Sequence, residues 1–175
     1  MKIEQINVFS LKEASLLSAI RCADFSEAAS VCLDNQGHIS GKEIKIEGDL
    51  EGQFKLVWNK VTQQIRSSRN DLEDAVEGGA YCLAMLVIEK LTKLKVSKQS
   101  QKRTGFDYWL GEGNDGGVQG LARLEVSGIL KGTKGQINQR LKEKMQQTQK
   151  SDNLNIPAYI VIVEFSQPIL KIKKR

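Results

Sequence analysis

The sequence is poor in the residues that build metal and redox centres. It has one histidine, His38, and three cysteines, Cys22, Cys32 and Cys82, far apart and with no C-x-x-C pair. A structural zinc site takes about four soft ligands, so that class is excluded. The thiols are expected to act as small apolar residues in a reduced protein. Long apolar runs are also missing. The longest, Ala80 to Ile88, falls far short of the roughly 18 residues that cross a bilayer, so no membrane association is expected. Met1-Lys2-Ile3-Glu4-Gln5 mixes both charge signs and leads into no apolar stretch. That is unlike a secretory signal, and a cytoplasmic location is expected. The glycine-rich stretch 113–117 lacks the strand–loop–helix setting and Lys-Ser/Thr ending of a phosphate-binding loop. It reads as a hairpin turn, and its lack of a nucleotide motif counts against an enzyme of small nucleotides.

What is present is an ordinary globular composition, with 40% hydrophobic and 27% charged residues over 175 positions. That length fits a single domain, 1–175, with one core. The net charge of +5 is unevenly spread. Residues 1–94 carry 11 Lys/Arg against 14 Asp/Glu, residues 95–150 carry 11 against 5, and the last 25 carry 4 against 2. The second half is thus a basic half able to face the phosphates of DNA or RNA.

Periodicity divides the chain into three parts. Residues 1–69 read as N-terminal helices plus a β-hairpin. Ser10, with Glu13 three residues on, predicts a capped helix to about Cys22, with Leu16, Leu17 and Ile20 on one face. A second short helix is expected from Asp24 or Ser26 to Leu33. Alternation at Ile44 and Ile46, and at Phe54, Leu56 and Trp58, predicts the hairpin, which would extend a sheet or form a homodimer surface. Residues 70–165 read as the functional core. A buried helix from Asn70 to Leu94 carries Gly78-Gly79, a costly pair inside a helix that implies close packing or a kink. Lys95–Arg103 reads as a loop, Phe106–Leu110 and Leu121–Leu130 as strands, Thr133 or Gln136 to Lys150 as a helix, and Ala158–Phe165 as an interior strand. Residues 166–175 read as a basic tail or a terminal strand.

Two carboxylates, Asp107 and Glu125, fall on the paired central strands. Side by side and within about 5 Å, they would bind Mg²⁺ or Mn²⁺ through hard oxygen ligands, positioning water and stabilising charge on a phosphate. Glu125 and Ser127 share a strand face, so the hydroxyl can assist. Of the neighbouring aromatics, Tyr108 and Trp109 point to opposite faces. One enters the core, a role expected for Trp109, and the other is free to stack on a base.

This order of elements, with Asp107 and Glu125-Val126-Ser127, resembles the PD-(D/E)XK nuclease-like superfamily over about residues 70–165. The resemblance implies an α/β fold: a central mixed sheet flanked by helices, with a restriction-endonuclease-like αβββαβ core and an N-terminal helical and hairpin extension. It also implies metal-dependent hydrolysis of nucleic acid phosphodiesters, with Asp107 and Glu125 as metal ligands and Glu77 as the helix acid of some members. The chain departs from the pattern in two places. Phe106 stands where proline often precedes the first acid, and Ser127 stands where the family has lysine. Lys131, four residues on along the strand face, or Lys142 or Lys144 from the next helix, would replace that charge, since migrated lysines occur in the superfamily. A second expectation follows from the loss at Ser127: a catalytically inactive binding protein on the same fold, of a kind used in bacterial defence or mobile-element systems.

Overall fold

The computed structural model describes residues 3–113 and 120–175. The chain begins with strand β1 (Gln5–Asn7), a 3-10 turn at Val8–Ser10 and the short helix α1 (Leu11–Ala14). The helix expected from Ser10 to Cys22 stops at Ser15. There the chain turns extended, and Leu16 N–H donates to the Val96 carbonyl at 2.8 Å. Ser18 then caps a new helix, α2 (Ala19–Asn35), by accepting from Arg21 N–H. One long helix replaces the two expected segments. Ile20 and Leu16, read as core, are exposed at 84% and 44%.

The hairpin forms as expected from β2 (Lys42–Gly48) and β3 (Gly52–Val57), with Ile44, Ile46, Phe54 and Leu56 buried. Trp58 lies just past β3 and is buried too. Helix α3 (Gln63–Ser68) leads to the central helix α4 (Leu72–Thr92), capped by Asp71 rather than Asn70. Its glycine pair is explained by close packing. A Cβ at Gly79 would sit 2.9 Å from Ala29 Cα, and one at Gly78 would sit 3.2 Å from the Ala28 methyl. These contacts set α2 and α4 backbone against backbone.

After α4 come β4 (Lys95–Gln99), β5 (Tyr108–Gly111), β6 (Ala122–Ile129), α5 (Lys134–Thr148), a 3-10 segment at Gln149–Leu154, β7 (Ala158–Glu164) and β8 (Ile169–Lys174). Two expectations are corrected here. Lys95–Arg103 is not all loop, because its first five residues form β4. Residues 166–175 are not a solvated tail, because β8 is an interior strand with Leu170 and Ile172 fully buried. The β8 lysines alternate with these apolar residues, so the strand reads as basic although its other face is core. The turn expected at 113–117 lies largely outside the described residues.

All eight strands form one mixed sheet in the order β1-β3-β2-β8-β7-β6-β5-β4. The hairpin extends the sheet by pairing β2 with β8 in parallel. β7 lies parallel to β6, with α5 as the crossover that such a pair requires. One face of the sheet packs on α2 and α4 through Leu124, Val126, Tyr159, Val161 and Val163. The other packs on α5, where Ile137, Leu141 and Met145 meet Ile129, Ile160 and Ile162. Tyr108 rather than Trp109 is the aromatic buried in the main core. Trp109 is half-buried and meets Phe106 edge-on at 4.9 Å between ring centroids. Among the described residues no helix is long and apolar enough to cross a membrane.

Candidate active site

The candidate site forms where the sheet forks. β5 pairs with β6 at Tyr108–Leu124, Trp109–Arg123 and Leu110–Ala122, whereas β6 continues beside β7 to Ile129. From Val126 onward, β6 has no β5 partner. Asp107, just before β5, covers the first step of that gap. Its N–H donates to the Leu124 carbonyl at 2.9 Å, and its Oδ2 accepts from Val126 N–H at 2.8 Å. A side-chain carboxylate thus stands in for a strand carbonyl, which fixes its position against the backbone of the second acid's strand.

Glu125 lies on the β6 face turned towards α5, and it is fully buried. Its Oε1 accepts from Lys144 Nζ at 2.7 Å and from Gln147 Nε2 at 2.9 Å. Its Oε2 is buried with no hydrogen-bond partner. The Asp107 and Glu125 carboxyls lie within hydrogen-bonding reach of one another. Burial raises both acids above their ordinary range. Glu125 is pushed up to about 8, first by burial and then by the charge of Asp107, with Lys144 pulling the other way. For Asp107 the effect of burial is opposed first by the Val126 N–H. Two carboxyls this close in a low-dielectric setting do not both ionise readily, so the pair keeps a proton towards neutral pH. A proton shared by the pair would give the otherwise unpartnered Glu125 Oε2 a partner in Asp107.

The surrounding side chains come from two helices. The Tyr81 hydroxyl, on α4, lies 3.2 Å from Asp107 Oδ1 and 3.3 Å from Glu77 Oε1. Its single proton serves both acids. Burial, then the Asp107 charge, pushes the Tyr81 phenol far above its ordinary value, so it acts as a donor and not as a phenolate. On α5, Arg140, Lys144 and Gln147 follow one another at helical spacing on a stripe beside the apolar face. Arg140 Nη1 donates to Ser127 Oγ at 2.9 Å. Glu77, Tyr81, Asp107, Ser127, Arg140 and Lys144 line one cleft of about 250 Å³.

The sequence-derived candidates therefore separate. Asp107, Glu125 and Ser127 come together, and Lys144 reaches them as one of the expected replacements. Glu77 lines the cleft but meets Tyr81 rather than the acid pair. Lys131 does not reach in, because β6 ends at Ile129 and Lys131 is exposed on the bend that follows. Tyr81, Arg140 and Gln147 were missed. The α5 stripe was the available signal, since Arg140, Lys144 and Gln147 become visible as a set once Glu125 is placed under that helix.

Among the described residues no group of three or more His, Cys, Asp or Glu side chains could hold a metal ion. The Asp107–Glu125 pair offers two carboxylates and one unpartnered buried oxygen. That donor set suits Mg²⁺ or Mn²⁺, which take one or two carboxylates and complete their shells with water and substrate phosphate. Comparison with family models, curated proteins and solved structures gave no match.

Proposed function

We propose that the protein is a metal-dependent nuclease of PD-(D/E)XK type, hydrolysing nucleic acid phosphodiesters at the Asp107–Glu125 pair. The observation that carries this reading is the pair itself. Two carboxyls come close enough at a fork in the sheet to shift one another's ionisation, one oxygen has no hydrogen-bond partner among the described residues, and a lysine is held at 2.7 Å from the second acid. The run α4-β4-β5-β6-α5-β7 supports it, being an αβββαβ sequence with one acid immediately before β5 and the other within β6.

In this reading Asp107 and Glu125, once their shared proton has passed to solvent, would hold Mg²⁺ or Mn²⁺. The ion would supply an activated water and neutralise charge on the phosphate. Lys144 compensates the second negative charge on the pair once the proton has left. The Arg140 guanidinium, anchored by Ser127, faces the same cleft and stabilises the extra charge that builds on the non-bridging phosphate oxygens. Ser127 is then a positioning residue in the place where the family carries its lysine. The positive charge reaches the cleft from α5 instead of β6.

The test is cleavage of labelled DNA and RNA in Mg²⁺ or Mn²⁺ by the parent and by Asp107→Asn. The expected result is metal-dependent cleavage by the parent, with a loss on the order of a hundredfold or more in the variant. Equal cleavage by both proteins excludes this site. Binding without cleavage by the parent favours the second reading, an inactive nuclease-fold binding protein, to which the buried Glu125 and the serine at 127 lend support.

A further inference from the structure

A second cleft, of about 270 Å³, opens on the other side of Asp107. It shares Tyr81 and Asp107 with the first and is closed by the β4–β5 turn and the end of α5, with Lys102, Arg103, Gln147 and Lys150 on its walls. We propose that this cleft seats a backbone phosphate of a nucleic acid strand, next along the chain from the phosphate at the acid pair. The proposal rests on the nuclease reading of that pair and adds the path of the substrate.

Three features carry it. The first is charge. Lys102, Arg103 and Lys150 are exposed, and none is hydrogen-bonded or ion-paired to an acid among the described residues. Among the described residues the single acidic group on the cleft wall is Asp107, which is engaged with Val126 and Tyr81 and lies beside Glu125. Three cations around one concavity make a strongly positive seat.

The second is a turn held in place before any ligand arrives. Ser100 N–H donates to the Asp107 carbonyl at 2.8 Å. The Thr104 hydroxyl donates to the Gln101 carbonyl at 2.9 Å and pairs with the Ser100 hydroxyl. Gly105, at φ +85°, lies so close to α5 that a Cβ there would meet the Gln147 carbonyl at 2.4 Å. The turn and the end of α5 are therefore in contact, which fixes the backbone positions from which the cations extend.

The third is backbone strain at one of the cations. Arg103 has φ 73°, a left-handed conformation that costs a non-glycine residue on the order of 1 kcal/mol or more. Glycine or asparagine would relax that position. Among the described residues the Arg103 side chain makes no hydrogen bond or ion pair that offsets the strain, and the turn presents its guanidinium to the cleft. Lys150 has an additional role, since a cation just past the end of α5 favours the helix dipole. Lys102 and Arg103 have no such account.

The test measures binding of labelled single-stranded and duplex oligonucleotides by the parent and by Lys102→Gln/Arg103→Gly/Lys150→Gln, in EDTA so that nothing is cleaved, across a salt series. Arg103→Gly relaxes the turn while removing the charge, and Lys150→Gln gives up a helix-dipole contribution of similar size, so the variant's melting temperature should stay close to the parent's. The expected result is an affinity at least tenfold weaker and a log-affinity against log-salt slope shallower by about 1, as loss of one seated phosphate requires. Unchanged affinity and slope in a folded variant overturn the seat, as does a parent that binds neither oligonucleotide. Cleavage by the parent in Mg²⁺ is scored separately. Loss of binding in the variant without any Asp107-dependent cleavage by the parent keeps the seat and removes the nuclease reading. Cleavage with unchanged variant binding does the reverse.

Discussion

Glu125→Gln should stabilise the protein at alkaline pH, and the gain should grow with pH. Glu125 is wholly buried, and one of its oxygens lacks a partner. Its folded-state pKa is raised from 4.5 to about 8 by burial and by Asp107. A raised acid favours the folded state while it is protonated. Its contribution is complete below the unfolded value near 4.5 and is lost as pH climbs through about 8. At about 1.4 kcal/mol per pKa unit the ceiling on that loss is near 5 kcal/mol, and relaxation with water entry should reduce it to about 2–3 kcal/mol. Glutamine fills the same volume, keeps an acceptor for Lys144 and donates an N–H to Asp107, but it cannot ionise. The pull of Lys144 on ionised Glu125 is already contained in the value of about 8, so the diagnostic is the divergence of the two stability curves with pH.

The assay is thermal or urea unfolding of parent and Glu125→Gln from about pH 5 to about pH 9. The melting temperatures should separate by roughly 5–10 °C over that range, taking 2–4 °C per kcal/mol for a chain of this size. Added Mg²⁺ should raise the parent's melting temperature more at the alkaline end, where the pair has lost its proton, and should leave the variant nearly unmoved. Parallel curves for the two proteins would refute the reasoning, because the shared proton would then not exist. On the nuclease reading the variant that removes this pH-dependent instability should also lose activity.

Two further outcomes follow from named contacts. Arg140→Ala should lower kcat on nucleic acid by about 10–100-fold, and Ser127→Ala, which frees the guanidinium without removing it, by several-fold; Arg140→Lys should recover part of the loss, and a change confined to KM would reassign Arg140 to ground-state binding. Gly79→Val should cost about 2–4 kcal/mol in urea unfolding, because a Cβ would already crowd Ala29 Cα at 2.9 Å, and a cost below 1 kcal/mol would mean that α2 and α4 are not in backbone contact.

The core helix and the sheet interior were legible from sequence because their signals are local. α4, β6, α5 and β7 carry apolar residues at their own period, and the Thr133 capping box marks the start of α5. Three features were hidden for physical reasons. β4 is an edge strand with only Val96 fully buried, so its Lys, Ser and Gln residues read as loop. The break at Ser15 answers to the Val96 carbonyl, some eighty residues away in the chain, and no local signal records it. The site's cations depend on how α5 docks. Spacing within the helix shows that Arg140, Lys144 and Gln147 share a side, but not which acid lies beneath them.

That docking also explains how a serine can stand at position 127. A lysine there would share the α5-facing side of β6 with Glu125, and its head group would compete for the space that α5 fills. Here Ile137, Leu141 and Met145 press against Ile160, Ile162 and Ile129, and this apolar seam brings Lys144 within 2.7 Å of Glu125. Serine is small enough to leave the cleft open and polar enough to hold Arg140. On the nuclease reading two cations on the helix stand in for one on the strand, Lys144 tied to Glu125 and Arg140 to Ser127. A strand lysine would be fixed by the register of the sheet. Helix cations are fixed by side-chain packing, so the geometry at the acid pair is coupled to the small core beneath α5 as tightly as to the sheet.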